Sequence, residues 1–209
     1  MPKAALFFDM SNIKLAVGLG NSPEKYAKTR HNTGRNILNL IAEKCKISFS
    51  PNKYCNGQTA TLPLFGDNLI LLKLEGYMNE SGINLKKALS FYKLNISQVA
   101  VVYDDTAFDV GRVKISVGGS GGGHNGVGNI ISLFGEGFTR IRVGIGAKPY
   151  KTMDLADYVL GAFSDADLAK MPAAADTVLE AFSIMKKRGV EFAQNTINQK
   201  IHKDEKQQI

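Results

Sequence analysis

An apolar strand that runs directly into a glycine-rich turn constrains this chain more than any other feature. Apolar residues alternate over Ile13–Leu19 as they do in a strand, and Gly18 and Gly20 then let the backbone turn sharply and come close to a ligand. Asn21 therefore lies where a strand opens into a loop. In α/β proteins, binding sites form at such carboxyl ends of strands.

Strand-like and helix-like segments alternate along the rest of the chain. Five helices are predicted: Thr33–Lys44, one that begins at a cap at Ser81, Val127–Phe134, Asp154–Leu160 and one that ends at Arg188. Strands or hairpins are predicted near Lys53–Thr61, Leu69–Leu72, Val99–Val102, Arg112–Val117 and Phe138–Gly146. The alternation predicts a single α/β domain with a twisted, mixed, largely parallel sheet and helices on both faces. We place this domain at residues 13–199, between an N-terminal extension (1–12) and a polar C-terminal tail (200–209).

Charge and cysteine content narrow the class of protein. Lysine and arginine outnumber aspartate and glutamate by 26 to 19, which gives a net charge of +7 and favours a polyanionic partner, with a merely solvated basic surface as the alternative. The two cysteines, Cys45 and Cys55, predict reduced thiols and a cytoplasmic protein, although an organellar location stays open. No segment approaches the roughly 20 apolar residues that span a bilayer, so no membrane partner is expected.

Polar residues that could form one site follow several of these strands. Asn21, Asn79 and Asp104 each come just after a predicted strand, and His31 precedes the first helix. A histidine can act as a base near neutral pH, a carboxylate can orient its second nitrogen, and amides can hold a carbonyl oxygen. Each residue alone has an ordinary structural interpretation, so the hypothesis of a catalytic site depends on their combination.

Other site motifs fit the sequence poorly. Gly121–Gly126 matches a dinucleotide-binding pattern, but no acidic residue ends the next strand to hold a ribose. Gly118–Gly122 matches a serine-hydrolase turn that would need His202 from the polar tail. The histidines His31, His124 and His202 show no paired ligand spacing, so neither a metal nor a cofactor is predicted. The glycine run itself predicts a flexible loop that closes over an extended substrate.

Six sequence blocks together resemble the bacterial-type peptidyl-tRNA hydrolase family. They occur in the family's order between Ile13 and Phe192, and they are Val17-Gly18-Leu19-Gly20-Asn21, Thr29-Arg30-His31-Asn32-Thr33-Gly34, Met78-Asn79-Glu80-Ser81-Gly82, Asp104-Asp105, Gly122-Gly123-His124-Asn125-Gly126 and Arg140-Ile141-Arg142-Val143-Gly144-Ile145-Gly146. The resemblance implies a monomeric esterase that uses water and no metal to release peptides from peptidyl-tRNA.

The resemblance also implies catalytic roles for four residues. His31 is expected to deprotonate the attacking water, and Asp104 to orient and polarise His31. Asn21 and Asn79 are expected to bind the peptide main chain beside the ester, with Asn79 placed to help stabilise the oxyanion.

The same resemblance implies how the tRNA is bound. Asn125 is expected to position water or the terminal adenosine, and Tyr26 to line the same cleft. Arg142 and Lys114 are the candidates for holding tRNA phosphates, so the acceptor end and the phosphate backbone are the expected partners.

Several positions depart from the family pattern around the expected site. The family usually has Lys-Pro-x-Thr where this chain has Lys73-Leu74-Glu75-Gly76, and other departures are Ser22-Pro23 for Pro-Gly, Tyr103 for histidine, Ala107 for an acid and Ser116 for lysine. An alternative is therefore a non-enzymatic RNA-binding relative, similar to plant organellar proteins that assist intron splicing through a partner protein. Hydrolysis of another N-blocked ester also stays open.

Overall fold

The computed structural model describes residues 13–206 of the chain, with side chains described for 13–199. The predicted extension at 1–12 lies outside the described residues, as does the end of the predicted tail. The described backbone forms seven strands: β1 (Leu15–Gly18), β2 (Ser50–Asn52), β3 (Gly57–Leu64), β4 (Asp67–Leu74), β5 (Val99–Asp105), β6 (Val113–Val117) and β7 (Thr139–Gly144). Its helices are α1 (Thr33–Lys44), α2 (Ser81–Tyr92), α3 (Asn125–Phe134), α4 (Leu155–Leu160), α5 (Asp165–Leu168), α6 (Met171–Arg188) and α7 (Val190–Lys206).

The strands form one mixed sheet in the order β2-β3-β4-β1-β5-β7-β6. The four central strands, β4, β1, β5 and β7, are parallel to one another. At the two sides of the sheet, β3 pairs with β4 and β6 pairs with β7 in antiparallel orientation, and β2 is antiparallel to β3. The predicted α/β fold with a mixed, largely parallel sheet is confirmed.

Alternating side chains of the central strands supply two separate hydrophobic cores. Leu15, Val17 and Val101 point into the core that α2 and α3 cover, while Ala16 and Val102 point into the core covered by α1, α6 and α7. Because both faces of the central strands are buried, these strands are nearly continuous apolar runs. Helices therefore cover both faces of the sheet, as predicted.

A second hairpin, which we did not predict, follows the predicted strand or hairpin near Lys53–Thr61. Strands β3 and β4 pair through a two-residue turn at Phe65-Gly66, with φ angles of +52° and +79°. Such turns usually carry Asn-Gly or Asp-Gly, and a phenylalanine with positive φ gives no turn signal in the sequence. The predicted Lys53–Thr61 element is thus the β2–β3 turn and the first half of β3.

The helices differ from the prediction in two places. A short 3-10 turn, Met78–Glu80, precedes α2, and Ser81 is its first helical residue rather than its cap, with a hydroxyl that donates to the Met78 carbonyl at 2.6 Å. At the C-terminus, helical structure does not end with the predicted helix at Arg188, because a further helix that we did not predict, α7, runs from Val190 to Lys206. Over residues 13–206, every helix is too short or too polar to cross a membrane.

Candidate active site

A close contact between β1 and α1 brings the first helix against the sheet. A Cβ atom on Gly34 would lie 2.2 Å from the Val102 carbonyl oxygen and 2.6 Å from the Leu19 nitrogen. Only glycine fits there. The contact fixes the 3-10 turn Arg30–Asn32, which precedes α1, above the carboxyl end of β5. His31, in that turn, therefore faces the last residues of β5.

His31 and Asp104 form a buried hydrogen-bonded pair. The His31 Nδ1 atom lies 3.0 and 3.1 Å from the two carboxylate oxygens of Asp104, and the two side chains are 10% and 3% exposed. Burial alone would raise the pKa of Asp104, but the adjacent His124 and His31 rings hold that pKa well below its usual range. Asp104 is therefore a carboxylate at neutral pH. It accepts the proton of His31 Nδ1, which leaves the Nε2 lone pair available as a base.

His124 is a second donor to the same carboxylate, and it is not among the site residues predicted from the sequence. Its Nε2 atom lies 3.1 Å from Asp104 Oδ1, and its ring centroid is 4.7 Å from that of His31. The backbone N–H of Val127 donates to His124 Nδ1 at 3.3 Å, so the proton of the neutral ring resides on Nε2. The available signal was its position directly before Asn125 at the end of the glycine run.

The three groups also form the kind of cluster that can hold a metal ion. Ligand atoms of His31, Asp104 and His124 all lie within 4.8 Å of one another. A metal would need the Nε2 lone pair of His124, but the bond from Val127 places a proton on that atom. Binding would also occupy His31 Nδ1 and force a proton onto its Nε2. The hydrogen-bonded arrangement therefore fits acid–base chemistry better than metal ligation.

Asn21 links the β1 loop to the segment that carries Asn79. The Asn21 backbone nitrogen donates to Asn32 Oδ1 at 2.8 Å, and Asn21 Oδ1 accepts the Met78 N–H at 2.8 Å. Because its oxygen is used in this way, the Nδ2 group of Asn21 is the part that can donate to a ligand. Asn79 directly follows Met78 and is exposed.

The predicted site residues surround one cavity of about 1050 Å³ at the carboxyl ends of the central strands. Its walls include Asn21, Tyr26, His31, Asn79, Asp104, Asn125 and Arg142. Tyr26 also packs edge-to-face against Tyr77, with ring centroids 6.5 Å apart. A cavity of this size accommodates part of an extended substrate. Asn79 and Asn125 also line a second, smaller cavity of about 400 Å³ beside it.

Lys114 is the predicted site residue that does not line this cavity. It lies on β6 directly opposite Arg142 on β7. Arg142 Nε donates to Asp105 Oδ2 at 2.6 Å, so the guanidinium is held at the rim of the cavity. The structure thus brings Arg142 and Lys114 together beside the other site residues.

The glycine run is more firmly held than the flexible loop that we predicted. Arg140, which is only 3% exposed, donates to the Ser120 carbonyl at 2.6 Å and also to the Gly119 carbonyl. The Gly119 N–H donates to Glu136 Oε2 at 2.9 Å. Arg140 alternates with Ile141 as predicted, but its side chain is buried because it anchors this loop.

Two of the departures from the family pattern, Ser22 and Gly76, contact each other. Ser22 and Gly76 are joined by two hydrogen bonds, Ser22 N–H to the Gly76 carbonyl at 2.9 Å and Gly76 N–H to Ser22 Oγ at 3.0 Å. A proline at position 22 could not donate the first of these bonds. Tyr103 is buried and packs edge-on against His124, with ring centroids 5.1 Å apart. The altered positions therefore leave the loops around Asn79 and Asp104 well supported.

The chain matches known proteins over most of its length. The family model described as peptidyl-tRNA hydrolase matches residues 15–207. Proteins named peptidyl-tRNA hydrolase from Clostridium acetobutylicum and Agathobacter rectalis are 40% and 39% identical, over 88% and 87% of this chain and 97% and 98% of their own lengths.

A solved structure agrees with these sequence matches. A crystal structure of peptidyl-tRNA hydrolase from Acinetobacter baumannii superimposes with a TM-score of 0.83 at 32% identity, covering 90% of this chain and 96% of its own. Fold, sequence and relatives agree over nearly the whole described chain. The chain therefore belongs to the peptidyl-tRNA hydrolase family.

Proposed function

We propose that this protein hydrolyses the ester bond between peptide and tRNA in peptidyl-tRNA, and so returns free tRNA to translation. The observation that carries the proposal is the buried bond between His31 Nδ1 and Asp104 at the floor of a cavity lined by asparagines. This pair supplies a base with its lone pair directed away from the carboxylate. The family match does not favour the non-enzymatic alternative.

His31 acts as the general base in this proposal. Its Nε2 atom takes a proton from water while the water oxygen attacks the ester carbonyl carbon. The tetrahedral intermediate then collapses, the bond to the ribose oxygen breaks, and that oxygen receives the proton from His31. Asp104 stabilises the imidazolium that exists between the two steps, and acid–base assistance of this kind contributes roughly 10²–10⁴ in rate.

Asparagine amides hold the peptide and the developing oxyanion. Asn79 and the Nδ2 group of Asn21 donate to the peptide main chain, and Asn79 also donates to the oxyanion, a contribution of about 10²–10³ in kcat for one donor. Tyr26 forms an apolar wall beside them. Asn125, at the start of α3 and exposed to both cavities, positions water or the terminal adenosine.

The tRNA backbone is the polyanion that the net charge of +7 predicts. Arg142 at the rim of the cavity and Lys114 opposite it on β6 contact its phosphates, so binding should weaken as salt rises. We further propose a monomer that acts in the cytoplasm. All the residues named above come from one chain, and Cys45 and Cys55 are both free thiols.

Cleavage of matched substrates tests this proposal. N-acetyl-aminoacyl-tRNA should be hydrolysed, and the same tRNA with a free α-amino group should not, because the blocked form mimics a peptide bond beside the ester. Cleavage of a small N-acetyl-amino acid ester as fast as the tRNA substrate would support a general esterase instead. Binding of tRNA without cleavage of any ester would support the RNA-binding alternative.

A further inference from the structure

Phe108 lies on the loop after β5, and its backbone is fixed against β7. The Gly146 N–H donates to the Phe108 carbonyl at 2.9 Å. A Cβ atom on Gly144 would lie 2.8 Å from that same oxygen and 2.1 Å from the Asp109 oxygen. The loop and the strand are therefore in direct backbone contact, and the half-buried Phe108 ring has a defined position beside the sheet.

Two cations contact this ring from neighbouring strands. The Arg142 Cζ atom lies 4.8 Å from the ring centroid of Phe108 and Lys114 Nζ lies 5.4 Å from it, both within the range of cation–π attraction. Lys114 and Arg142 face each other in the β6–β7 register. Like charges directly opposite each other on a sheet are destabilising.

The surroundings offset this repulsion only in part. Asp105 neutralises one positive charge through its 2.6 Å bond with Arg142, and the Phe108 ring attracts both cations. One formal positive charge is left over. Lys114 and Arg142 repel each other, and only one of their two positive charges is neutralised by a carboxylate, so this pair is suited to binding an anionic ligand.

The next pair along the same two strands cannot take this role. Position 116, where the family has lysine, is Ser116 in this chain, and it faces Arg140. The Arg140 guanidinium is buried against the glycine-loop carbonyls. On these two facing strands, the cationic pair that can contact a ligand is therefore Lys114 and Arg142.

We propose that Phe108 is a positioning residue for the tRNA end of the substrate: its ring holds together Lys114 and Arg142, the two cations to which the proposed function already assigns the contact with tRNA phosphate. The inference rests on the proposed hydrolase function. Arg142 and Asp105 both line the cavity that contains His31, so a phosphate bound here belongs to the same RNA whose ester end occupies the cavity.

The test uses Phe108→Leu and Phe108→Tyr with two substrates. One is N-acetyl-aminoacyl-tRNA, and the other is the N-acetyl-aminoacyl ester of adenosine, which has no phosphate. Phe65→Leu is a matched control because Lys187 Nζ lies 3.6 Å from that ring centroid, at the β3–β4 turn on the opposite end of β4 from the site.

Phe108→Leu should raise KM for the tRNA substrate roughly five- to tenfold, the loss expected for two cation–π contacts, with kcat unchanged. It should also make the dependence of KM on salt less steep, since a phosphate contact is weakened. Phe108→Tyr should retain wild-type values because tyrosine keeps the ring, and Phe65→Leu should have no effect. All variants should cleave the adenosine ester equally well.

The outcomes separate this inference from the function on which it rests. Unchanged KM and salt dependence for Phe108→Leu on the tRNA substrate would overturn the inference while leaving the hydrolase intact. An equal loss on both substrates would also overturn it, because that result indicates a structural role. If the wild-type protein cleaves neither substrate, the proposed function itself fails.

Discussion

Replacing Asp104 with asparagine isolates the contribution of one buried charge. The Asp104 carboxylate accepts two N–H groups, from His31 Nδ1 at 3.0 Å and from His124 Nε2 at 3.1 Å. Asparagine has one acceptor oxygen, so in Asp104→Asn one of the two rings would face an NH₂ group. His124 is fixed by Val127, which means that His31 is the ring that would change its tautomer and place its proton on Nε2.

The expected loss of kcat in Asp104→Asn follows from the negative charge that the substitution removes. An imidazolium and a carboxylate about 4 Å apart attract each other by about 4 kcal/mol at an effective dielectric constant near 20. Without that attraction the barrier rises by a similar amount, which corresponds to a loss of about 10³ in kcat. The His31 tautomer with its proton on Nε2 would lower kcat further, because Nε2 could then not accept a proton from water.

The assay is single-turnover cleavage of N-acetyl-aminoacyl-tRNA by wild type, Asp104→Asn and Asp105→Asn. Asp105 is the matched control because it is the next residue on β5 but pairs with Arg142 at the rim of the cavity. Its variant should change KM and salt dependence and leave kcat near the wild-type value. A kcat for Asp104→Asn within about threefold of wild type, less than 1 kcal/mol on the barrier, would show that the Asp104 charge does not stabilise the His31 imidazolium during the reaction.

Acid stability gives an independent check on the same carboxylate. The pKa of Asp104 is lower in the folded protein than in the unfolded chain, so this group stabilises the fold at pH values above about 4, its unfolded pKa. That stabilisation is lost as the pH falls from there towards the folded pKa. The free energy of unfolding of Asp104→Asn should therefore depend less on pH over this acidic range than that of wild type.

Two further substitutions test the residues that support the site. His124→Ala should lower kcat about tenfold and change KM little, because it removes one donor to Asp104 but leaves the His31 base in place. A loss of kcat as large as that of a His31 variant would contradict the smaller role assigned to His124. Gly34→Ala should lower the free energy of unfolding by about 1–3 kcal/mol, since its Cβ would overlap the Val102 carbonyl, and an unchanged midpoint in urea denaturation would show that the contact is dispensable.

The sequence predicted the elements that local patterns define. Helix α1 lies at its predicted bounds, and Asn21, Asn79 and Asp104 lie at or just after the carboxyl ends of β1, β4 and β5, which are parallel strands of one sheet. These inferences succeed because strand alternation and helix periodicity are local, and because the carboxyl ends of parallel strands share one edge. The six sequence blocks that resemble the family then indicated which of these polar residues belong to one site.

Contacts between distant segments could not be predicted from local patterns. His124 reaches Asp104 only because the end of the glycine run folds back over β5, and no spacing along the chain indicates that contact. The burial of Arg140 depends on the same loop. The β3–β4 turn was not predicted, because Phe65 takes the left-handed backbone that asparagine or aspartate usually takes at the first position of such a turn.

Hydrolysis of N-acetyl-aminoacyl-tRNA by His31→Ala beside wild type, with tRNA affinity measured for both, tests the role of His31 most directly. The variant should bind tRNA as tightly as wild type and lose about 10²–10⁴ of kcat, because only the general base is removed. A variant that binds normally and retains wild-type turnover would show that another group deprotonates water, and would contradict the central role assigned to His31.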